Sequence, residues 1–175
     1  MHVKLKGSPA FYLVGFMGCG KSTVGRLLAE SISWDFVDLD DEIEREAELR
    51  IVDIFEKLGE PAFRIMERKV LNEQICKARM GMPRVIALGG GAFAQEANRR
   101  LIETSGISIW LKAPLDRLWT RVSAKSDRPL AQDRKSFEAL YQKREDAYAQ
   151  ADFTIVDEGK GLEPVVQAIR DLSLL

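Results

Sequence analysis

Short apolar runs alternate with longer stretches of helical periodicity along most of the chain. Short apolar runs bounded by turn signals are typical of buried strands, whereas apolar residues three and four apart indicate a helix. Five runs are predicted as strands: 11–14, 36–38, 84–88, 107–111 and 153–156. Strands that alternate with helices favour a parallel sheet covered by helices on both faces.

Helical spacing fills most of the chain between these strands. It predicts helices over 21–32, 40–48, 60–80, 94–104, 114–122, 135–149 and 162–172. The chain has 175 residues, 46% hydrophobic and 30% charged, which suits one compact domain with a substantial core. We therefore predict a single domain over residues 1–175, with an α/β fold in which an open parallel sheet of five strands lies between helices in three layers, α/β/α.

Composition excludes several classes of function. The formal net charge is -1, whereas a nucleic-acid binder normally carries a clear basic excess. No stretch approaches the roughly 20 apolar residues of a membrane helix, and residues 1–10 lack the apolar run of a signal peptide. Two distant cysteines, Cys19 and Cys76, indicate a reducing compartment, so we expect a cytoplasmic protein without a membrane partner. His2 is the single histidine, and its terminal position argues against histidine catalysis.

The segment Gly15–Ser22 has the spacing of a phosphate-binding P-loop, Gly-x-x-x-x-Gly-Lys-Ser, between a predicted strand and a predicted helix. Its glycines allow backbone N–H groups to point at phosphate oxygens, and the helix N-terminus adds partial positive charge. Lys21 is predicted to reach the β- and γ-phosphates of ATP, and the Ser22 hydroxyl to bind Mg²⁺. The bland alternative is an ordinary glycine-rich turn. The predicted ATP contacts from this segment are Gly18, Cys19, Gly20, Lys21, Ser22 and Thr23, with Cys19 interpreted as a small packing residue.

Two aspartates, Asp38 and Asp40, follow the second predicted strand two residues apart. If the strand continues that far, both side chains point to the same side, at the edge of the sheet where ligands bind. One carboxylate is then available to the Mg²⁺ shell and the other to an acceptor hydroxyl. The alternative is that Asp40 only caps the following helix.

Taken in order, the motifs resemble those of shikimate kinases over nearly the whole chain. They begin with the P-loop and the two aspartates, and continue with the segments 59–64, 89–91, 128–130 and 144–152. The resemblance implies transfer of the ATP γ-phosphate to the 3-hydroxyl of shikimate in aromatic amino-acid synthesis, with Mg²⁺ as cofactor. It also implies a lid at about 123–134 and an acceptor-binding helical segment at about 40–80, and we expect a monomer.

The resemblance also implies roles for single residues. Asp40 matches the aspartate that binds acceptor hydroxyls and is the favoured base, and Asp38 matches the one near Mg²⁺. Lys21 and Arg128, the lid arginine, match groups that stabilise the transferred phosphoryl, and Arg121 matches a residue beside adenine. The remaining matches concern shikimate: Arg64 and Arg144 for its carboxylate, Glu67 in support, and Gly89, Gly90 and Gly91 beside it.

Each of these motifs has an ordinary interpretation when taken alone. Arg64 and Glu67, three apart on a predicted helix, would form a surface ion pair of little energetic value. The glycine triplet 89–91 would be a flexible turn, and Arg128 would lie in an ordinary loop. A guanidinium nevertheless suits a carboxylate because two N–H groups match two oxygens.

Some positions depart from the family pattern. Asp146 stands where the family commonly has proline, which adds a negative charge near Arg144. Pro61 replaces a residue that is often polar, but proline suits the first turn of a helix. Trp34, Trp110 and Trp119 are predicted to pack in or near the core.

Other functions fit the P-loop as well. A kinase for another polyol acid such as gluconate, a nucleoside monophosphate kinase, and a regulatory ATP-binding module without turnover are the alternatives. A regulatory module would be expected to lose Asp40, Arg64 or Arg128, and all three are present.

Overall fold

The computed structural model describes residues 9–124 and 133–172. Its sheet has five parallel strands in the order β2-β3-β1-β4-β5. Central strand β1 is fully buried, and its Leu13 lies opposite Ala87 on one neighbour and Ile109 on the other. This confirms the predicted open parallel sheet, whose strands are β1 Ala10–Val14, β2 Asp35–Asp38, β3 Arg84–Ala87, β4 Ile107–Lys112 and β5 Phe153–Val156.

The described residues contain seven helices, which complete the predicted three-layer α/β/α arrangement. Helix α1 packs against β2 and β3, α4 packs against β4, and α7 packs against β5. The helices are α1 Lys21–Ser31, α2 Leu39–Ala47, α3 Ile51–Arg79, α4 Glu96–Glu103, α5 Leu115–Ser123, α6 Arg134–Tyr148 and α7 Glu163–Arg170.

Helix α3 begins nine residues before the start at residue 60 that the sequence predicted. The prediction detected a real break, because Gly59 has φ 80° and ψ 168° and interrupts the helical backbone. Pro61 then lies in the first turn after the break, where its missing N–H costs nothing. The two helical parts of α3 together form one wall of the site described below.

The core fills the space between the sheet and the helices with aliphatic and aromatic side chains. Trp110 is buried, and Trp34 and Trp119 are partly buried against the core, as predicted. Phe11 on β1 stacks on Trp34 with ring centroids 4.9 Å apart. In the part of the chain that the structure describes, no helix is long and apolar enough to cross a membrane.

Candidate functional site

The phosphate loop follows directly from β1, the central strand of the sheet. Gly18 and Gly20 have φ values of +82° and +94°, which residues with a Cβ rarely adopt. A Cβ at Gly18 would also lie 2.8 Å from Cγ2 of Val122, so the loop geometry requires glycine there. Gly20 is the N-cap of α1, whose first backbone N–H groups therefore open towards the loop.

Lys21 is held across this loop by main-chain oxygens. Its Nζ donates to the carbonyl oxygens of Gly15 at 2.9 Å and Phe16 at 3.2 Å. Cys19 is buried, with its Sγ 3.8 Å from the same ammonium group, which agrees with its interpretation as a packing residue. The loop therefore presents one ammonium group and a set of backbone N–H groups, which together suit a polyphosphate.

Asp38 joins the phosphate loop to helix α2. Its Oδ2 accepts a hydrogen bond from the Ser22 hydroxyl at 2.5 Å, and its Oδ1 accepts from the backbone N–H of Asp40 at 3.2 Å. Strand β2 ends at Asp38, as the predicted strand 36–38 does, so the condition under which both aspartates would point to the same side of the strand is not met. The alternative that Asp40 caps α2 is wrong, because Asp38 is the N-cap and Asp40 lies in the first turn of the helix.

Ser22 and Asp38 have the chemistry that Mg²⁺ prefers. A hydroxyl and a carboxylate are hard oxygen donors, and their contact places both within reach of one cation. Among the described residues, no group of three or more His, Cys, Asp or Glu side chains could enclose a metal. This donor set fits an ion that keeps most of its shell as phosphate oxygens and water, which is the usual form of protein-bound Mg²⁺.

Two cavities meet at the carboxyl edge of the sheet. The first, called the nucleotide cavity after the ATP site predicted there, has a volume of about 700 Å³, and the second, called the acceptor cavity after the predicted acceptor site, about 420 Å³. Both are lined by Met17, Asp40, Asp41, Gly89 and Gly90, so they are continuous at these residues. The nucleotide cavity adds most of the predicted ATP residues, namely Gly18, Gly20, Lys21, Ser22, Thr23 and Arg121, and also Asp38, which was predicted to lie near Mg²⁺.

The acceptor cavity brings Arg64 of α3 and Arg144 of α6 to the backbone of Gly89–Gly91, called the glycine strip below. The resemblance implied a shared ligand for these residues, and that role stays a prediction. A Cβ at Gly91 would lie 2.8 Å from Nη2 of Arg64, and one at Gly90 would lie 3.2 Å from Nη1 of Arg144. Both guanidinium groups therefore lie against the bare backbone that follows β3. Close approach of this kind leaves room for a small anionic ligand between the cations.

Arg64 and Glu67 are not a surface ion pair, which was the alternative interpretation. Glu67 is 1% exposed, and both of its oxygens accept from Nη1 of Arg64 at 3.1 Å. Burial raises the pKa of Glu67, although Arg64 opposes this shift. Burial alone would lower the pKa of Arg64, but Glu67 and Glu60 raise it, so the guanidinium remains charged.

Arg121 lines the nucleotide cavity and is fixed by two partners. Its Nη2 lies 3.0 Å from the Asp157 carboxylate, and its Nη1 donates to the Gly18 carbonyl at 3.2 Å. Burial alone would raise the pKa of Asp157, but the Gly159 N–H, Arg121 and Arg117 lower it. The ionised carboxylate therefore holds the Arg121 side chain beside the phosphate loop.

The structure adds residues that the sequence did not assign to the site. Tyr148, which is buried, donates its hydroxyl to the Gly90 carbonyl at 2.5 Å, and burial raises its pKa above the usual range. Tyr148 lies in the segment 144–152 that carries the resemblance, but it was assigned no role from the sequence. Asp146 is exposed and lines neither cavity. Further cavity residues that were assigned no role from the sequence are Met17 of the P-loop, Phe63 of the segment 59–64, and Arg26, Asp41, Glu44, Ile51, Phe55, Leu88, Val122 and Leu162.

The predicted lid arginine, Arg128, lies outside the described residues, as does most of the predicted lid at 123–134.

Comparison with known proteins agrees with this geometry. The family model described as shikimate kinase matches residues 17–172. The shikimate kinase of Persephonella marina is 42% identical over 159 residues, which are 90% of this chain and 94% of that protein. The shikimate kinase of Cereibacter sphaeroides is 44% identical over 163 residues, which are 91% of this chain and 79% of that protein.

Solved structures give the same result. The shikimate kinase of Acinetobacter baumannii in complex with shikimate superposes with a TM-score of 0.88 at 38% identity, covering 97% of this chain and 94% of that one. The shikimate kinase of Aquifex aeolicus superposes with a TM-score of 0.82 at 36% identity, covering 94% and 95%.

Proposed function

Because the chain belongs to the shikimate kinase family, we propose that it binds ATP in the nucleotide cavity and shikimate in the acceptor cavity. The family transfers the γ-phosphate of ATP to the 3-hydroxyl of shikimate, and the chain is an ATP-dependent kinase of this kind. The observation that carries the assignment of the two ligands is the continuity of the cavities at Asp40 and Gly89. A phosphoryl donor on one side therefore faces an acceptor on the other.

The acceptor is held by its carboxylate in this proposal. Arg64 and Arg144 bind the two carboxylate oxygens, since a guanidinium presents paired N–H groups to an anion. The backbone of Gly89–Gly91 closes the same side of the acceptor, where a side chain would collide with the arginines or with Asp40. Asp40 then orients the 3-hydroxyl and is the group placed to take its proton.

The donor is held by the phosphate loop. Backbone N–H groups and Lys21 bind the β- and γ-phosphates, and Arg121 flanks the adenine. Ser22 and Asp38 hold Mg²⁺, which when bound neutralises phosphate charge and orients the leaving group. The position of Asp38 beside the Ser22 hydroxyl supports this pair, with much of the Asp38 contact passing through water.

We further propose that residues 1–175 form one catalytic domain with an acceptor-binding segment at about 40–80. The segment at about 123–134 closes over both ligands, and Arg128 then contacts the transferred phosphoryl group. Closure would exclude water and so protect ATP from hydrolysis. Residues of this one chain line both cavities, and we propose that it acts as a monomer in the cytoplasm.

An assay of ADP release tests the function directly. With ATP and Mg²⁺ present, we expect release that depends on shikimate and is at background with gluconate or with no acceptor. Release only with gluconate would keep the kinase and overturn the substrate. If no ADP is released with any acceptor, the kinase function would be overturned in favour of a regulatory ATP-binding module without turnover.

Replacing Arg64 with alanine tests the carboxylate clamp, which is the proposed binding of the acceptor carboxylate by Arg64 and Arg144. We expect the KM for shikimate to rise about 10- to 100-fold, since a hydrogen-bonded charge pair with the substrate is lost. The KM for ATP should stay within about twofold, because Arg64 does not line the nucleotide cavity. Steady-state kinetics with each substrate varied in turn measure both values.

A matched control for this variant lies one turn along the same helix. Arg68 is exposed and lines neither cavity, so Arg68→Ala should keep wild-type kinetics. Wild-type kcat/KM for shikimate in Arg64→Ala would show that the clamp is assigned to the wrong residue.

A further inference from the structure

Helix α4 carries a buried side-chain amide, that of Asn98, which supports the acceptor site without lining the acceptor cavity. Asn98 is 1% exposed, and its Nδ2 lies 3.4 Å from Oε2 of Glu67 and 3.1 Å from the carbonyl oxygen of Ala92. Ala92 directly follows the glycine strip 89–91. One amide therefore connects the carboxylate behind Arg64 with the backbone that follows the strip.

The orientation of this amide is determined by its surroundings. Both nearby atoms, Oε2 of Glu67 and the Ala92 oxygen, are acceptors, so the NH₂ group must face them. The opposite orientation would place the Asn98 oxygen against a carboxylate and a carbonyl.

The same orientation leaves Oδ1 of Asn98 as the buried side-chain nitrogen or oxygen atom without a hydrogen-bond partner within residues 9–124 and 133–172. A buried unsatisfied oxygen destabilises the fold, and an apolar side chain of similar size would avoid this cost. Local features that oppose stability are typical of functional sites. The contact with Glu67 is therefore what asparagine provides here.

We propose that Asn98 is a positioning residue of the acceptor site, which fixes the Glu67 carboxylate and through it the Arg64 guanidinium that binds the acceptor carboxylate. The proposal rests on the role of Arg64 in the proposed function. Arg64 donates to both oxygens of Glu67 from α3, and Asn98 donates to one of them from α4. Glu67 is thus held by two elements, and among the residues that the structure describes, removal of Asn98 leaves Arg64 as its hydrogen-bond donor.

The charge of Glu67 makes the proposal testable through the pH dependence of the KM for shikimate. Burial and the charge of Asp40 raise the pKa of Glu67, whereas Arg64 and the Asn98 N–H group lower it. Without Asn98 the pKa rises further, so Glu67 becomes protonated at a higher pH as the solution is acidified. A neutral Glu67 no longer orients Arg64, and the KM for shikimate then increases.

The test compares the wild type with Asn98→Leu and Asn98→Ala, assayed by shikimate-dependent ADP release across pH. We expect the KM for shikimate to rise about fivefold at neutral pH, which is the usual effect of losing one hydrogen bond, with kcat within about twofold. The acidic limb of kcat/KM for shikimate should move to higher pH. If the leucine does not fit, the smaller alanine carries the same test.

The control is Ile102→Val, which removes one methylene group from a buried position on the same helix. It should lower the melting temperature slightly and leave both KM and the acidic limb unchanged. Asn98 variants that fold and keep the wild-type KM and acidic limb would overturn the proposal, even if their melting temperature falls.

Arg64→Ala, assayed in parallel, separates this proposal from the one on which it rests. If Arg64→Ala raises the KM for shikimate and the Asn98 variants do not, only the role of Asn98 fails. If Arg64→Ala itself keeps the wild-type KM, the clamp and the role of Asn98 fail together.

Discussion

Replacing Lys21 with alanine is expected to reduce turnover at saturating ATP and shikimate by about a thousandfold, the scale on which loss of a transition-state donor acts. Negative charge develops on the oxygens of the γ-phosphoryl group as this group is transferred. In this proposal the Lys21 ammonium is the cation of the phosphate loop that stabilises this charge. Its donation to the Gly15 and Phe16 carbonyls already holds the side chain across the loop. Single-turnover rates of ADP formation would measure the loss.

Two further variants control this prediction. Lys77→Ala removes an exposed lysine of α3 that lines neither cavity, so it should keep wild-type turnover. Lys21→Arg keeps the charge but replaces a compact ammonium with a planar guanidinium, and we expect only a small part of the rate to return. If Lys21→Ala loses less than about tenfold, the phosphate loop would not supply the main cation of the transfer step.

The parts of the site that were predictable from the sequence are those specified locally. The phosphate loop needs only the residues 15–22 and the strand and helix on either side. Arg64 and Glu67 are three apart on one helix, so their contact follows from helical geometry. In both cases the partners are close in sequence, and the backbone conformation alone brings them together.

The boundaries of elements were less predictable. Strand β2 was predicted over 36–38 and does end at Asp38, but the helix that follows begins at Leu39 and is capped by the Asp38 carboxylate, which the sequence did not indicate. Helix α3 was expected to start after Gly59, because a glycine followed closely by Pro61 resembles a helix start. The buried Ile54 shows why residues before the break are also helical, since tertiary packing stabilises a short helical segment.

The supporting partners that lie far away in sequence were not predicted. Asp157 lies 36 residues from Arg121 in sequence, and Asn98 lies 31 residues from Glu67. Nothing in their local pattern distinguishes them from ordinary polar positions, since the contacts exist only after folding has brought α3 to α4, and α5 to the residue that follows β5. The supporting residues of a site are therefore harder to predict than the residues that they support.

Replacing Asp40 with asparagine is expected to lower kcat about a hundredfold, with the KM for ATP within about threefold, because general-base or orienting carboxylates contribute on this scale. Asp40 lies where the two cavities join, in the first turn of α2. A Cβ at Gly89 would lie 2.5 Å from its Oδ1, so the carboxylate is closely packed against the glycine strip. Asparagine preserves this shape and removes the charge that accepts a proton. Measuring kcat together with ATP binding separates the chemical role from a structural one.

The neighbouring residue Asp41 provides a control, because its replacement by asparagine removes the same charge as Asp40→Asn. Asp41 also lines both cavities, but its side chain is 73% exposed and lies 3.9 Å from Arg26, whereas Asp40 is the aspartate packed against Gly89. Asp41→Asn removes the same charge one residue along the helix and should lower kcat by less than about threefold. If Asp40→Asn loses ATP affinity as much as kcat, the carboxylate acts on the nucleotide. If both variants lose kcat equally, the total charge of this segment governs the rate, and the position of Asp40 beside the acceptor does not.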